Sequence, residues 1–158
     1  MSQILEIERK FIVDAPPPDL EAYPHKEIWQ GYVAADPNGT VVRLRRKGSE
    51  FFETVKSAGL RARIEIEVAL TRAQFDALWP ATEGRRLRKI RYEIPDRGYT
   101  IELDVYLGPL EGFFTAEVEF PSHEEAAAYE PPPWFGREVT MDPRYKNLSL
   151  AAHGLPEG

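Results

Sequence analysis

Several chemistries are closed to this chain by what it lacks. It contains no cysteine, which excludes disulfides, thiolate nucleophiles and zinc held by cysteine, and fits a reducing compartment. Its three histidines, His25, His123 and His153, fall in loops or at helix ends without ligand spacing and read as surface residues. There is no Gly-x-Gly-x-x-Gly run, no Walker loop and no Gly-x-Ser-x-Gly elbow. No apolar stretch approaches the roughly 18 residues of a membrane span. The N-terminus has no signal-like core either, so the expectation is a soluble, cytoplasmic protein without membrane contact. Positive charge is also in deficit: 20 basic against 26 acidic residues leave a net charge of -6, which argues against a nucleic-acid binder. A small anionic ligand stays open if the basic groups cluster.

What is present is β-pattern. The 158 residues fit one domain, 1–158, large enough for a sizeable core. Ile4 to Val13 alternates with period two, so Leu5, Ile7, Phe11 and Val13 share one strand face and Glu6, Glu8 and Lys10 the other. Carboxylates about 7 Å apart on a strand repel by about 2.4 kcal/mol at an effective dielectric near 20. Solvent offsets that on an open surface. In an enclosed site a hard divalent cation does so.

The same alternation recurs down the chain. Strands are expected at 26–34, 40–47, 51–56, 60–70, 84–94, 99–107 and 113–120, separated by turns at Asp36-Pro-Asn-Gly39, Gly48-Ser-Glu50 and Asp96-Arg-Gly98. Thr71 caps a helix that Pro80 should stop, Ser122 caps a second short one, and Asp142-Pro143 opens a last helix through about Ala152. Trp29, Trp79 and Trp134 read as packing residues. Tyr32 reads equally as a wall residue or a contact at a mouth.

The pattern describes a mainly β fold with a few flanking helices, an antiparallel sheet of eight strands whose polar face is sorted by sign. Acids come from Glu6, Glu8, Glu65, Glu67, Glu102, Asp104, Glu117 and Glu119. Bases come from Lys10, Arg43, Arg45, Lys56, Lys89 and Arg91. An open sheet would show this face to water. A closed eight-stranded barrel would instead line its bore with it and turn the apolar face outward, toward helices or a second copy in a homodimer. Such a bore has one wall for divalent cations and another for a dense anion, with arginine forks matching phosphate oxygens. A linear triphosphate with its metal ions meets both requirements.

These residues resemble the CYTH superfamily of triphosphate tunnel metalloenzymes, in its small bacterial form. Glu6-Ile-Glu-Arg-Lys10 looks like the family's ExExK signature. Gln30-Gly-Tyr32, Val42-Arg-Leu-Arg-Arg46, Lys56-Ser57, Glu65-Ile-Glu67, Lys89-Ile-Arg-Tyr92, Glu102-Leu-Asp104 and Ala116-Glu-Val-Glu119 follow in the family's order. Arg144-Tyr-Lys-Asn147 is similar to a segment leading to a helix near one tunnel mouth. The resemblance implies an eight-stranded antiparallel barrel forming a tunnel, with Mg2+ or Mn2+ as cofactor. It implies that Glu6, Glu8 and Glu119 hold a first metal, and that Lys10, Arg43, Arg45, Lys56, Lys89 and Arg91 grip phosphates. Glu65, Glu67, Glu102, Asp104 and Glu117 would place a second metal or the attacking water. The expected activity is hydrolysis of a triphosphate, inorganic tripolyphosphate first. Class IV adenylate cyclase and thiamine triphosphatase are the alternatives among enzymes, and a polyphosphate-binding module without turnover is the alternative outside them.

Overall fold

Alternating apolar and charged residues give each strand two incompatible faces, and a closed sheet separates them completely. A computed structural model describes residues 2–59 and 62–157. Its strands are β1 Ser2–Val13, β2 His25–Ala35, β3 Val41–Lys47, β4 Glu50–Lys56, β5 Ala62–Leu70, β6 Arg86–Asp96, β7 Tyr99–Tyr106 and β8 Phe114–Glu119. Leu60 and Arg61, expected at the head of the fifth strand, lie outside the described residues. The strands close into an antiparallel barrel in the order β1-β5-β4-β3-β2-β6-β7-β8. The charged side chains point into the bore and the apolar ones outward.

The hydrophobic core therefore lies outside the barrel. Ile7, Val13, Ile101, Leu103, Ala116 and Val118 project from β1, β7 and β8 and are buried with Phe120, Ala126 and Tyr129. The covering elements are helix α2, His123–Ala128, and the aromatic pair Trp134 and Phe135. Helix α1, Arg72–Leu78, starts with a capping box between Thr71 and Gln74 and lays Phe75 on Phe51 of β4, centroids 5.0 Å apart. Pro80 does not stop the chain there but sits inside a 3-10 turn, Trp79–Thr82, where its missing N–H costs nothing. On the β1–β5 side, Leu5, Ile64 and Val68 remain 60%, 43% and 37% exposed.

Two departures from simple barrel closure shape the bore. β1 changes partner midway, pairing with β5 through Ile7 and with β8 from Glu8 onward. The edge it leaves is taken up by residues 136–139. Gly136 N–H donates to the Ile12 carbonyl at 2.7 Å, Ile12 N–H to Arg137 at 2.9 Å, and Val139 N–H to Lys10 at 2.8 Å. Only glycine fits at 136, since a Cβ would lie 2.7 Å from the Ile12 oxygen. Arg9 locks the arrangement from outside, donating to Glu138 at 2.7 Å and to the Ala126 and Tyr129 carbonyls at 2.9 Å each.

The second departure corrects the expected last helix. Asp142 does act as a cap, but for a 3-10 turn, Pro143–Tyr145. Lys146 is then extended, and only afterwards does helix α3, Asn147–His153, begin. The break has a cause. The Tyr145 carbonyl, which a continuous helix would use internally, accepts from Lys10 Nζ at 2.7 Å. Residues 140–149 thus form a strap along the cavity wall, anchored also by Tyr106 Oη donating to Asn147 at 2.7 Å. The strap lies where β1, β2, β4 and β7 end and β3, β5, β6 and β8 begin, so it closes that end of the barrel. Among the described residues no helix is long and apolar enough to cross a membrane.

Candidate active site

The bore encloses a cavity of about 390 Å³. On one wall Glu8 of β1 stands directly across from Glu119 of β8, with Glu6 two residues along. One carboxylate oxygen from each of the three lies within 4.8 Å of the others. Ionised carboxylates at that spacing repel by about 3.5 kcal/mol per pair at an effective dielectric near 20. The protein shows the strain. Burial, then Glu117 and Glu6, push the Glu8 carboxyl well above its ordinary value. Glu119 is pushed up to about 7 by burial and by Glu102, Glu6 and Glu117. Glu6 alone of the three is drawn down, because Lys56 and the Glu65 hydrogen bond outweigh its burial. Three converging hard-oxygen donors that repel one another match the demands of Mg2+ or Mn2+.

The facing wall is basic. Arg43 and Arg45 project from β3 into the cavity. Arg43 reaches Thr54 at 3.3 Å, and Arg45 reaches Gln30 at 3.0 Å. Arg43 is 4% exposed and its Nε is buried without a partner, and neither arginine forms an ion pair among the described residues. Burial, with Arg43 and Arg91 nearby, lowers Arg45 to about 10. Unpaired guanidinium groups held together in a closed space call for an anion with several oxygens.

The remaining predicted bases are already matched to acids. Lys56 lies 3.0 Å from Glu6 and 3.8 Å from Glu65, and Lys10 lies 3.7 Å from Glu117. Arg91 meets Asp104 with two contacts of 2.8 Å and Glu102 at 3.2 Å. Glu117 is held well below the carboxylate range despite its burial, by Lys10, its Glu8 hydrogen bond, Arg91 and Lys89.

No protein-family model matches the chain. Over 149 residues it is 49% identical to an inorganic triphosphatase of Nitrosomonas europaea, covering 92% of this chain and 96% of that one. Over 152 residues it is 38% identical to an inorganic triphosphatase of Acetivibrio thermocellus, covering 92% of each. A crystal structure of an inorganic triphosphatase superposes with a TM-score of 0.71 at 43% identity, over 96% of this chain and 97% of that one. This chain is a member of the CYTH superfamily. A conserved hypothetical protein of Pyrococcus furiosus, 17% identical, shares the CYTH fold with a TM-score of 0.60 over 78% of this chain and 84% of its own.

Most of the predicted site residues of this CYTH protein line one cavity: Glu6, Glu8, Lys10, Arg43, Arg45, Lys56, Glu65, Arg91, Glu102, Glu117 and Glu119. Three stand apart from it. Lys89 and Asp104 are fully buried and paired with each other at 2.8 Å, behind the cavity surface. Burial lowers Lys89 to about 7 against the pull of Asp104. Glu67 is on the inner face of β5 but beyond the lining residues. Sequence reasoning missed Arg63 and Lys146, which both line the cavity. Arg63 had a signal, sharing the inner face of β5 with Glu65. Lys146 had a weaker one: it lies in Arg144-Tyr-Lys-Asn147, the segment similar to one near a tunnel mouth. A continuous helix from Asp142 gave no reason to single it out, and the break at Lys146 is what turns it to the cavity wall. The histidines are exposed as expected, and Trp29 is held between the guanidinium groups of Arg46 and Arg88, 6.0 Å and 5.0 Å from the ring.

Proposed function

We propose that this protein hydrolyses the terminal phosphoanhydride of a linear triphosphate, inorganic tripolyphosphate in the first place, with a divalent cation as cofactor. One observation carries the reading. Three mutually repelling carboxylates, Glu6, Glu8 and Glu119, share the bore with two arginines, Arg43 and Arg45, that form no ion pair among the described residues. A cation and a polyphosphate together satisfy both walls, and neither satisfies them alone. The relatives named inorganic triphosphatase, 49% and 38% identical, support the same reaction.

Glu6, Glu8 and Glu119 would hold Mg2+ or Mn2+, which supplies charge neutralisation at the phosphate oxygens. Arg43 and Arg45 orient the phosphate chain through their forks, with Lys10, Lys56 and Arg91 grading the charge along it. Glu65 lines the cavity, and its carboxyl is raised by burial and by its hydrogen bond with Glu6. In this reading it takes the proton of a water whose oxygen attacks the terminal phosphorus in line, while the bond to the bridging oxygen breaks and pyrophosphate leaves with the electron pair. Glu65 is preferred to Glu67 for this role because Glu67 does not line the cavity. Lys89 and Asp104 would act behind the surface, through Arg91, rather than on substrate or metal.

The test is turnover of tripolyphosphate, ATP and thiamine triphosphate side by side in Mg2+ or Mn2+, with and without chelator. Orthophosphate release fastest from tripolyphosphate, and lost with chelator, is expected. Tight binding of tripolyphosphate with no release in either metal would overturn the hydrolase reading, and a cyclic product from ATP would replace it with a cyclase.

A further inference from the structure

The closed end of the bore carries cations that the hydrolytic reading leaves without a role. Arg63 of β5 and Lys146 of the strap both line the cavity there. They meet at Gly59. Lys146 Nζ donates to the Gly59 carbonyl at 2.9 Å, and a Cβ on Gly59, whose φ is +136, would come within 3.2 Å of Arg63 Cγ. Arg63 Nε is buried without a hydrogen-bond partner. Neither residue forms an ion pair among the described residues. Their like charges interact: Lys146 is held below its ordinary value by burial, then by Arg63, with Lys56 adding to the effect and Glu8 opposing it.

The nearby acids do not resolve this repulsion: Glu8 acts on Lys146 but forms no ion pair with it, and burial holds its carboxyl well above its ordinary value, while the others have partners of their own. Glu6 and Glu65 face Lys56, Glu117 faces Lys10, and Asp142 is 2.7 Å from Arg144. A buried guanidinium nitrogen with no acceptor among the described residues, beside an ammonium that donates to a carbonyl, favours an anion. Lys146 arrives on the strap, so the site exists only while the strap lies across the barrel end.

We propose that Arg63 and Lys146 form a phosphate subsite at the closed end of the tunnel, which takes the leading phosphoryl group of a linear polyphosphate. The proposal builds on the tripolyphosphate reading. It makes the tunnel a one-ended slot: a chain enters through the open mouth and its leading end is gripped beyond the Arg43 and Arg45 forks. A free phosphoryl end fits such a subsite, and a nucleoside does not. Inorganic chains satisfy this in either direction, whereas a nucleotide does so only with its outermost phosphoryl group first.

The experiment compares Arg63→Met and Lys146→Met with Arg63→Lys and Lys146→Arg. Each methionine variant should raise KM for tripolyphosphate about tenfold, the loss of one charge-assisted contact, and the charge-conserving variants should restore part of it. Because Arg63 stands across from Glu6 and Lys146 feels Glu8, the Mn2+ concentration for half-maximal rate should stay the same or fall in the methionine variants, whereas loss of a metal ligand would raise it. In chelator, calorimetric affinity for inorganic pyrophosphate should fall about tenfold in the methionine variants, with melting temperatures confirming the fold. Unchanged KM and unchanged pyrophosphate affinity in both would overturn the subsite while the hydrolase reading stands. If the wild type fails to hydrolyse tripolyphosphate yet the variants still lose pyrophosphate affinity, the hydrolase reading falls and the subsite stands.

Discussion

Asp104→Asn separates a carboxylate that serves the protein from one that serves a metal. Asp104 accepts from Arg91 Nε and Nη2 at 2.8 Å each and lies 2.8 Å from Lys89 Nζ, with Asp104 and Lys89 both fully buried. Burial opposes its ionisation, but Arg91 and Lys89 together bring its carboxyl from 3.8 down to about 2. That shift corresponds to about 2.4 kcal/mol. Asparagine keeps the volume and removes the charge, leaving two buried cations facing each other. Deleting one partner of a buried pair costs about 3–5 kcal/mol. The expected loss is therefore about 3 kcal/mol, a fall in melting temperature of about 6–12 °C for a chain of this size. Thermal and urea denaturation in chelator at pH 7 measure it. The sign with pH follows from the lowered value. The contribution is fully present above about 3.8 and lost as pH falls through about 2, so wild type and variant should converge on acidification. A variant within about 0.5 kcal/mol of wild type, with a shifted Mn2+ requirement, would refute the argument and make Asp104 a metal ligand.

Three further outcomes follow from the cavity itself. Glu8→Gln removes a ligand charge from a site where burial, Glu117 and Glu6 already oppose ionisation. It should abolish metal-dependent turnover and the Mn2+-induced rise in melting temperature, which is about 2.7 kcal/mol of stabilisation in wild type at a hundredfold excess over Kd, without lowering metal-free stability. Metal affinity should fall about tenfold between pH 8 and pH 6, because Glu119, at about 7, must release its proton to ligate. Its raised folded value has the opposite effect on the metal-free protein, contributing stability below about 4.5 that is lost as pH rises through about 7. Calorimetric metal titrations giving one affinity across that range would refute the assignment. Arg43→Lys should lower kcat/KM for tripolyphosphate about 10- to 100-fold, since an ammonium cannot reproduce the guanidinium fork, and steady-state kinetics at saturating Mn2+ read it.

Period two made the fold legible. Because successive residues of a strand face opposite ways, Glu6, Glu8 and Lys10 had to share a face, and so did Arg43 with Arg45 and Glu117 with Glu119. Sorting those faces by sign placed the bore. Depth along the bore was a different matter. It depends on how far each strand is staggered against its neighbours, which no single strand encodes. Lys89 and Arg91 alternate identically, yet the register that sets Lys89 against Tyr106 seals it away, while Arg91, opposite Asp104, reaches the cavity. The switch of β1 from β5 to β8 at Glu8, and its repair by residues 136–139, were equally hidden. A proline-rich segment carries no period to follow. Lys146 was hidden differently, inside an expected helix, since the helix break beside it arises from a contact with Lys10, 135 positions away in sequence.

Eight acidic and eight basic side chains line the cavity, so the bore is neutral in sum but not in place. Where opposite signs meet at short range, as at Lys56 with Glu6 and Arg91 with Asp104, the pairs stabilise the empty barrel. What is left over is segregated: Glu8 and Glu119 on the β1–β8 wall, Arg43 and Arg45 on β3 across the bore. A cation alone relieves the first excess and leaves the arginines exposed to one more positive charge. A polyphosphate alone does the reverse. Bound together, each lowers the electrostatic cost of the other, so the two ligands should be positively coupled, and by linkage the coupling is the same whichever binds first. The same segregation of charge should therefore favour a metal–polyphosphate complex over either component.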